Sequence, residues 1–183
     1  KLSKFTRFKK AKIIYCPPYT LIDNFVNKLK KTKIDVGAQN CHYAIDNGPF
    51  TGSISARMIS SAGAKYVILG HSENRSEGES HTIIKKKIIS ALNKKINVIF
   101  CIGESMTEKR NKKTFSVLRK QIKSSLDKKF GTNKIIIAYE PVWSIGTGLI
   151  PKSIELFDTI NFIKKKIKSY KILYGGSVKP KNI

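Results

Sequence analysis

The chain has 183 residues and a formal net charge of +24, and arginine is scarce among its basic residues. Because the lysines lie mainly in predicted helices, we interpret the charge as solvated surface that attracts anionic substrates, and we do not expect nucleic-acid binding. No apolar run has the roughly 20 residues of a membrane span, and no secretory leader is visible, so we expect a cytoplasmic protein. The three cysteines, Cys16, Cys41 and Cys101, lack metal-like spacing, so we expect reduced thiols.

Short apolar runs rich in Ile and Val recur along the chain and predict strands that are covered on both faces. In chain order they are Lys12–Tyr15, Ile34–Gly37, Tyr66–Leu69, Val98–Ile102, Lys134–Ala138 and Lys171–Tyr174.

Helical patterns lie between these runs, around Leu21–Leu29, Ile83–Leu92, Thr114–Leu126 and Ser153–Ile167. Strands that alternate with helices predict parallel βαβ units, in either an open sheet or a closed barrel. No linker or shift in composition divides the chain, so we expect a single domain over residues 1–183.

Polar residues follow several of the predicted strands directly. His71 follows one apolar run, Glu104 follows a second after a glycine, Glu140 follows a third and Ser177 follows a fourth after two glycines. Barrel enzymes collect their site residues in this way at the carboxyl ends of several strands, whereas an open sheet concentrates them at one switch point. The pattern therefore favours a β/α barrel.

His71 and Glu140 are the predicted catalytic pair. His71 begins the joint after its strand, where the positive end of a following helix favours a neutral imidazole that polarises a carbonyl. Glu140 is followed by Pro141, and a partly desolvated carboxylate there suits proton abstraction next to that carbonyl. A structural ion pair is the alternative role for Glu140, whereas we interpret His42 and His81 as structural residues.

Two glycine-containing segments complete the predicted site. Residues 141–148 are rigid at Pro141, apolar in the middle and glycine-rich at Gly146 and Gly148, which predicts a hinged lid. Gly175, Gly176 and Ser177 follow a strand, where backbone N–H groups cradle phosphate.

Eight segments, taken together, resemble the triosephosphate isomerase family. They are Cys16-Pro17-Pro18, Gly37-Ala38-Gln39-Asn40, Phe50-Thr51-Gly52, Ile68–Glu73, Cys101-Ile102-Gly103-Glu104, Ala138–Trp143, Ile145–Gly148 and Leu173–Val178. They occur in family order with family-like separations.

The resemblance implies a (β/α)8 TIM barrel that interconverts D-glyceraldehyde 3-phosphate and dihydroxyacetone phosphate in glycolysis and gluconeogenesis, without cofactor or metal. Members of this family use a glutamate base, a neutral histidine and a closing lid, and the resemblance implies the same roles here. By motif, Glu140 is the base, His71 the electrophile, Gly146 and Ser177 the phosphate contacts, and Glu73 and Cys101 supporting residues. The loop from Asn40 to Gly52 resembles the family's homodimer contact.

The resemblance also implies that part of the barrel lies outside the chain. The family has an Asn-x-Lys segment after its first strand and a Gly-Gly phosphate contact after its last, and neither lies between Lys1 and Ile183. A barrel of this type needs about 250 residues, so we expect a fragment that covers about strands 2 to 7 and is inactive without its substrate-binding lysine.

Departures within the chain are Asn74 in place of an arginine, Leu149 in place of a lysine beside the lid, and Pro49 in the dimer loop. Another phosphate-binding barrel acting on a small sugar phosphate, and a non-catalytic or basic nucleic-acid-binding remnant, stay open as alternatives. The presence of both His71 and Glu140 favours the isomerase.

Overall fold

The computed structural model describes residues 11–46, 48–127, 129–167 and 171–180. They form two compact units, one within residues 1–69 and 86–98 and the other within residues 70–85 and 99–183. All six predicted strands are present, with boundaries that differ by at most one residue from the sequence prediction.

The first unit contains three parallel strands, β1 (Ile13–Tyr15), β2 (Ile34–Ala38) and β3 (Tyr66–Leu69). Ile13 is paired with Ile34, and Gly37 is paired with Tyr66. The helix α1 (Ile22–Leu29) follows β1, and the short helix α2 (Ala56–Ser61) precedes β3. Consecutive parallel strands are thus separated by helices, as the βαβ pattern predicts.

Side-chain packing and capping explain why these helices form where they do. Ile22 and Leu29 lie seven residues apart, on one side of α1, and both are buried. Ser55 caps α2, because its hydroxyl accepts a hydrogen bond from the N–H of Met58. The sequence prediction missed α2, since six residues are too few to show a helical period.

The helix α4 (His81–Asn93) and the strand β4 (Asn97–Ile102) have residues in both units. In the first unit, the carboxyl-terminal part of α4 holds the long segment between β2 and α2. Lys87 Nζ donates to Asn40 Oδ1 at 3.0 Å, and Ser90 Oγ donates to the carbonyl of Ala44 at 3.0 Å. These contacts fix the course of the segment against one helix.

The second unit contains α3 (Ser72–Ser76), α5 (Met106–Arg110), α6 (Thr114–Ser125), β5 (Ile135–Tyr139), α7 (Ser153–Lys166) and β6 (Lys171–Tyr174). The strands β5 and β6 are parallel, with Tyr139 paired with Tyr174. Beyond the strand ends, Glu140 N–H donates to the carbonyl of Ile102 at 2.9 Å, and Gly175 N–H donates to that of Tyr139 at 2.9 Å. The carboxyl ends of β4, β5 and β6 therefore lie side by side.

Two further short helices, α3 and α5, were not predicted as helices. The capping box of Ser105 and Glu108 starts α5, because each side chain accepts a hydrogen bond from the backbone N–H of the other residue. None of the helices in the described part of the chain has the length and apolar character that a membrane crossing requires.

Gly103 permits a close approach between the ends of β4 and β5. A Cβ atom at this position would lie 1.9 Å from the carbonyl oxygen of Glu140, which is far inside van der Waals contact. The amide of Gln121 holds Gly103 from the other side, accepting from its N–H at 3.0 Å and donating to its carbonyl at 2.8 Å. The backbone of Gly103 is therefore confined between Gln121 and the residue that carries the predicted base.

We expect Gly103→Ala to lower the free energy of unfolding by about 1–3 kcal/mol or more, because the added methyl forces two backbone segments apart. Urea unfolding of the purified protein measures this change. Gly131→Ala is the matched control, since the nearest atom to a Cβ there is the side-chain oxygen of Asn133, at 3.2 Å. Equal stabilities for the two variants would contradict the proposed constraint.

Candidate active site

His71 lies at the carboxyl end of β3 and is the N-cap residue of α3, with φ −56° and ψ 148°. Its Nδ1 accepts a hydrogen bond from the backbone N–H of Glu73 at 3.4 Å. An acceptor nitrogen carries no hydrogen, so the proton of the neutral ring is on Nε2. The helix N-terminus thus selects the tautomer that presents Nε2–H as a donor.

Glu140 lies beside this histidine. Its Oε2 is 3.4 Å from His71 Nε2, and its Oε1 accepts a hydrogen bond from the backbone N–H of Ser72 at 3.2 Å. Glu140 is buried, with 8% of its surface exposed. Two residues that are 69 positions apart in the sequence therefore form one polar site, as the sequence predicted for this pair.

Burial is the main influence on the Glu140 carboxyl and raises its pKa. The electrostatic influence of the neighbouring His71 imidazole, the N–H of Ser72, the thiol of Cys101 and the charge of Arg75 act in the opposite direction and lower the pKa. A carboxylate in this setting is a stronger base than an exposed one, and its neighbours still stabilise the ionised form.

The two predicted supporting residues contact the pair in different ways. Cys101 is buried in β4, and its side chain hydrogen-bonds to Glu140. Glu73 acts on His71 through its backbone N–H, while its side chain is 80% exposed and its Oε2 lies 3.6 Å from His71 Nδ1. Glu73, two residues after His71, therefore acts through the position of its backbone N–H in the first turn of α3.

Arg75 is a site residue that the sequence analysis missed. Its Nε donates to the carbonyl of Gly70 at 2.7 Å, and one terminal nitrogen donates to the carbonyl of Cys101 at 3.0 Å. The other terminal nitrogen lies 3.1 Å from His81 Nδ1. Arg75 thus ties Gly70 to Cys101 within the second unit. The available signal was that Arg75 is one of the few arginines in a lysine-rich chain, because only the planar fork of arginine can make several directed hydrogen bonds.

The predicted lid begins after β5. Val142–Ser144 form a single 3-10 turn, so the segment is more ordered at its start than its sequence indicated. Gly146 and Gly148 have positive φ angles of 68° and 78°. Such angles are costly for residues with a Cβ, so the glycines form the turn of the lid.

Ser177 contacts the lid and itself has a φ of 45°, which is uncommon for a residue other than glycine. Its hydroxyl donates to the carbonyl of Ser144 and accepts from the N–H of Gly148 at 3.1 Å. The neighbouring Gly175 lies close to Glu140, because a Cβ there would be 3.6 Å from that of Glu140. The joint after β6 therefore reaches both the lid and the base.

The start of the lid is anchored on a second buried carboxyl, that of Glu104. Trp143 Nε1 donates to it at 2.9 Å, and the hydroxyl of Tyr139 donates to it at 3.2 Å. Burial raises the pKa of Glu104. Lys109 Nζ lies 3.9 Å from the centre of the Trp143 ring. The sequence marked Glu104 only as a polar residue after a strand, and its two aromatic partners were not predicted.

The arrangement joins a buried base to an imidazole N–H donor at the mouth of parallel strands. That pair suits removal of a proton from carbon next to a polarised carbonyl. Within the described part of the chain, no three or more His, Cys, Asp or Glu side chains are grouped as metal ligands would be.

Comparison with known proteins gives a consistent result. A family model described as triosephosphate isomerase matches residues 1–183. The triosephosphate isomerase of Aquifex aeolicus is 43% identical over 180 residues, which are 93% of this chain and 72% of that protein. That of Bradyrhizobium diazoefficiens is 40% identical over 182 residues, or 94% of this chain and 72% of that protein.

A crystal structure of triosephosphate isomerase from Bartonella henselae has the same fold. It matches with a TM-score of 0.89 and 36% identity, and the match covers 97% of this chain and 75% of that chain. The β/α barrel class predicted from the order of strands and polar residues is confirmed by this agreement. Since the family model and close relatives both span nearly the whole sequence, the chain belongs to the triosephosphate isomerase family.

Proposed function

We propose that the complete gene product interconverts D-glyceraldehyde 3-phosphate and dihydroxyacetone phosphate, with its barrel formed as one domain. The observation that carries the proposal is the buried Glu140 carboxylate, 3.4 Å from the imidazole Nε2 of His71. Membership of the family supplies the substrate class. We place the protein in the cytoplasm, where relatives of this family serve glycolysis and gluconeogenesis.

In the proposed reaction, Glu140 takes a proton from the carbon next to the substrate carbonyl. The electrons of that C–H bond form a carbon–carbon double bond, and the carbonyl π electrons move to its oxygen. His71 Nε2–H donates a hydrogen bond to that oxygen and stabilises the enediolate. The hydroxyl proton on the first carbon then moves to the former carbonyl oxygen as a carbon–oxygen double bond forms at the first carbon. The electrons of the carbon–carbon double bond take back the proton from Glu140 at the neighbouring carbon, which completes the exchange of aldehyde and ketone.

We assign the phosphate group to the lid and to the joint after β6, with Gly146 and Ser177 as its contacts. The hydroxyl proton of Ser177 is already donated to the carbonyl of Ser144. We therefore propose that Ser177 meets phosphate through its backbone N–H rather than through its side chain. The net charge of +24 adds long-range attraction for such an anion.

We also propose that the protein is a homodimer through residues 40–52. Tyr43, Ile45 and Phe50 expose 37–41% of their surfaces in this segment. The ring of His42 is 4.5 Å from that of Phe50, and Lys94 pairs with Asp46 at 2.8 Å. An apolar surface held in place by such contacts is typical of a subunit interface.

Shortening the base tests the proposed chemistry. We expect Glu140→Asp to lower kcat by about 100-fold, because withdrawal of the carboxylate by about 1 Å spoils the geometry of proton transfer. A coupled assay of glyceraldehyde 3-phosphate isomerisation measures the change. Glu155→Asp is the matched control, since Glu155 is a partly exposed partner of Lys109, outside the proposed catalytic pair. Turnover of Glu140→Asp equal to that of the control would refute the assignment of the base.

The raised pKa of Glu140 predicts a dependence of stability on pH. Because folding favours the protonated carboxyl, the contribution of Glu140 to stability is fully present at low pH and is lost as pH rises through its folded pKa. We expect Glu140→Gln to be more stable than the parent at neutral pH, with the difference shrinking toward about pH 4. Denaturant unfolding across this range measures it, and a difference that grows on acidification would contradict the prediction.

An added charge tests the proposed interface. We expect Ile45→Asp to shift the protein from dimer to monomer, because burial of an unpaired carboxylate in an apolar contact is costly. Sedimentation velocity at several concentrations measures the shift. Ile154→Asp is the control, as Ile154 is 65% exposed on α7 and lies outside residues 40–52. If Ile45→Asp sediments as the parent does, the interface lies elsewhere.

A further inference from the structure

Ser144 carries a hydroxyl that the proposed reaction does not use. It is the last residue of the 3-10 turn at the start of the lid, residues 141–148, and none of its surface is exposed. A buried hydroxyl is costly unless it is hydrogen-bonded, so its partners show what it does in the fold.

Ser144 links two parts of the second unit. Its Oγ donates to the carbonyl of Leu149 at 2.5 Å and lies 3.3 Å from the hydroxyl of Tyr174, the last residue of β6. A serine hydroxyl has one hydrogen, and that of Ser144 is donated to Leu149. Tyr174 is therefore the donor in the second contact, and a chain of hydrogen bonds runs from β6 through Ser144 to the far side of the lid turn.

The surrounding backbone is shaped to admit this contact. A Cβ atom on Gly176 would lie 3.0 Å from Ser144 Oγ, and Gly176 has a φ of 132°, which residues with a Cβ rarely adopt. Just beyond the other end of the lid, Ser144 holds the backbone through the carbonyl of Leu149.

From these contacts we infer that Ser144 is a positioning residue that latches the lid. Its side chain joins the first turn of the lid to Leu149, and through Tyr174 it fastens both to the end of β6. Ser177 makes a second, parallel tie through the carbonyl of Ser144 and the N–H of Gly148. The glycine turn between Ser144 and Leu149 is thus held at both ends.

The latch has a measurable effect because it biases an equilibrium. Removing a neutral hydrogen bond changes such an equilibrium by about fivefold. The apparent affinity of a ligand that binds only the latched lid is its affinity for the latched state multiplied by the fraction of molecules that are latched. Trp143, the single tryptophan of the chain, lies next to Ser144 and is buried, so its fluorescence reports the state of the lid.

Acrylamide quenching of Trp143 in the unliganded 183-residue chain is the first test. We expect Ser144→Ala to raise the quenching constant severalfold, and Tyr174→Phe to raise it in the same direction. The quenching constant of the double variant is expected to rise by less than the product of the two single-variant effects, because the two hydroxyls belong to one network. Ser116→Ala is the matched control, since it removes a serine-to-backbone hydrogen bond on α6.

Steady-state kinetics with glyceraldehyde 3-phosphate is the second test, and only this part rests on the proposed function. We expect Ser144→Ala to raise KM by up to about fivefold with a smaller change in kcat, since the latch acts on the lid and leaves Glu140 in place. If every variant lacks isomerase activity while quenching still rises in Ser144→Ala, the latch is supported and the proposed function fails. Quenching and KM equal to those of Ser116→Ala, or a loss of thermal stability without a change in quenching, would overturn the latch.

Discussion

The burial of the Glu140 carboxylate next to His71 is the interaction on which the rest of the site depends. Burial makes the carboxylate basic, and it also makes the ionised form costly for the fold. Ser72 and Arg75 in α3 and Cys101 in β4 offset this cost. The first turn of α3 serves both partners, because one of its N–H groups meets Glu140 and the next selects the tautomer of His71.

Close backbone contacts at the carboxyl ends of the strands make this arrangement possible. Gly103 lies against the carbonyl of Glu140, and Gly176 lies against the side chain of Ser144. Each glycine is present because a neighbouring residue of the site occupies the space that a side chain would need. The strand ends therefore act as one packed layer, in which the base, the lid and the joint after β6 constrain one another.

Two buried carboxyls in this layer have different partners and different roles. Glu140 faces a titratable imidazole and the mouth of the strands, which suits chemistry. Glu104 is enclosed by the indole N–H of Trp143 and the hydroxyl of Tyr139, which suits anchoring. Residue type and position after a strand are the same in both cases, and only the neighbours distinguish a base from an anchor.

The sequence by itself determined the six strands and the barrel class, and it singled out His71 and Glu140 as a candidate pair. Apolar runs such as Tyr66–Leu69 end where a charged or polar residue begins, and this boundary is local information that the amino acids carry. The contacts of Arg75, the anchor at Glu104 and the hydrogen bonds of Ser144 were decided by the tertiary structure. Each of these sets includes a contact between residues that are distant in sequence. Such a contact forms only when particular strand ends become neighbours, and no local sequence pattern shows which ends will do so.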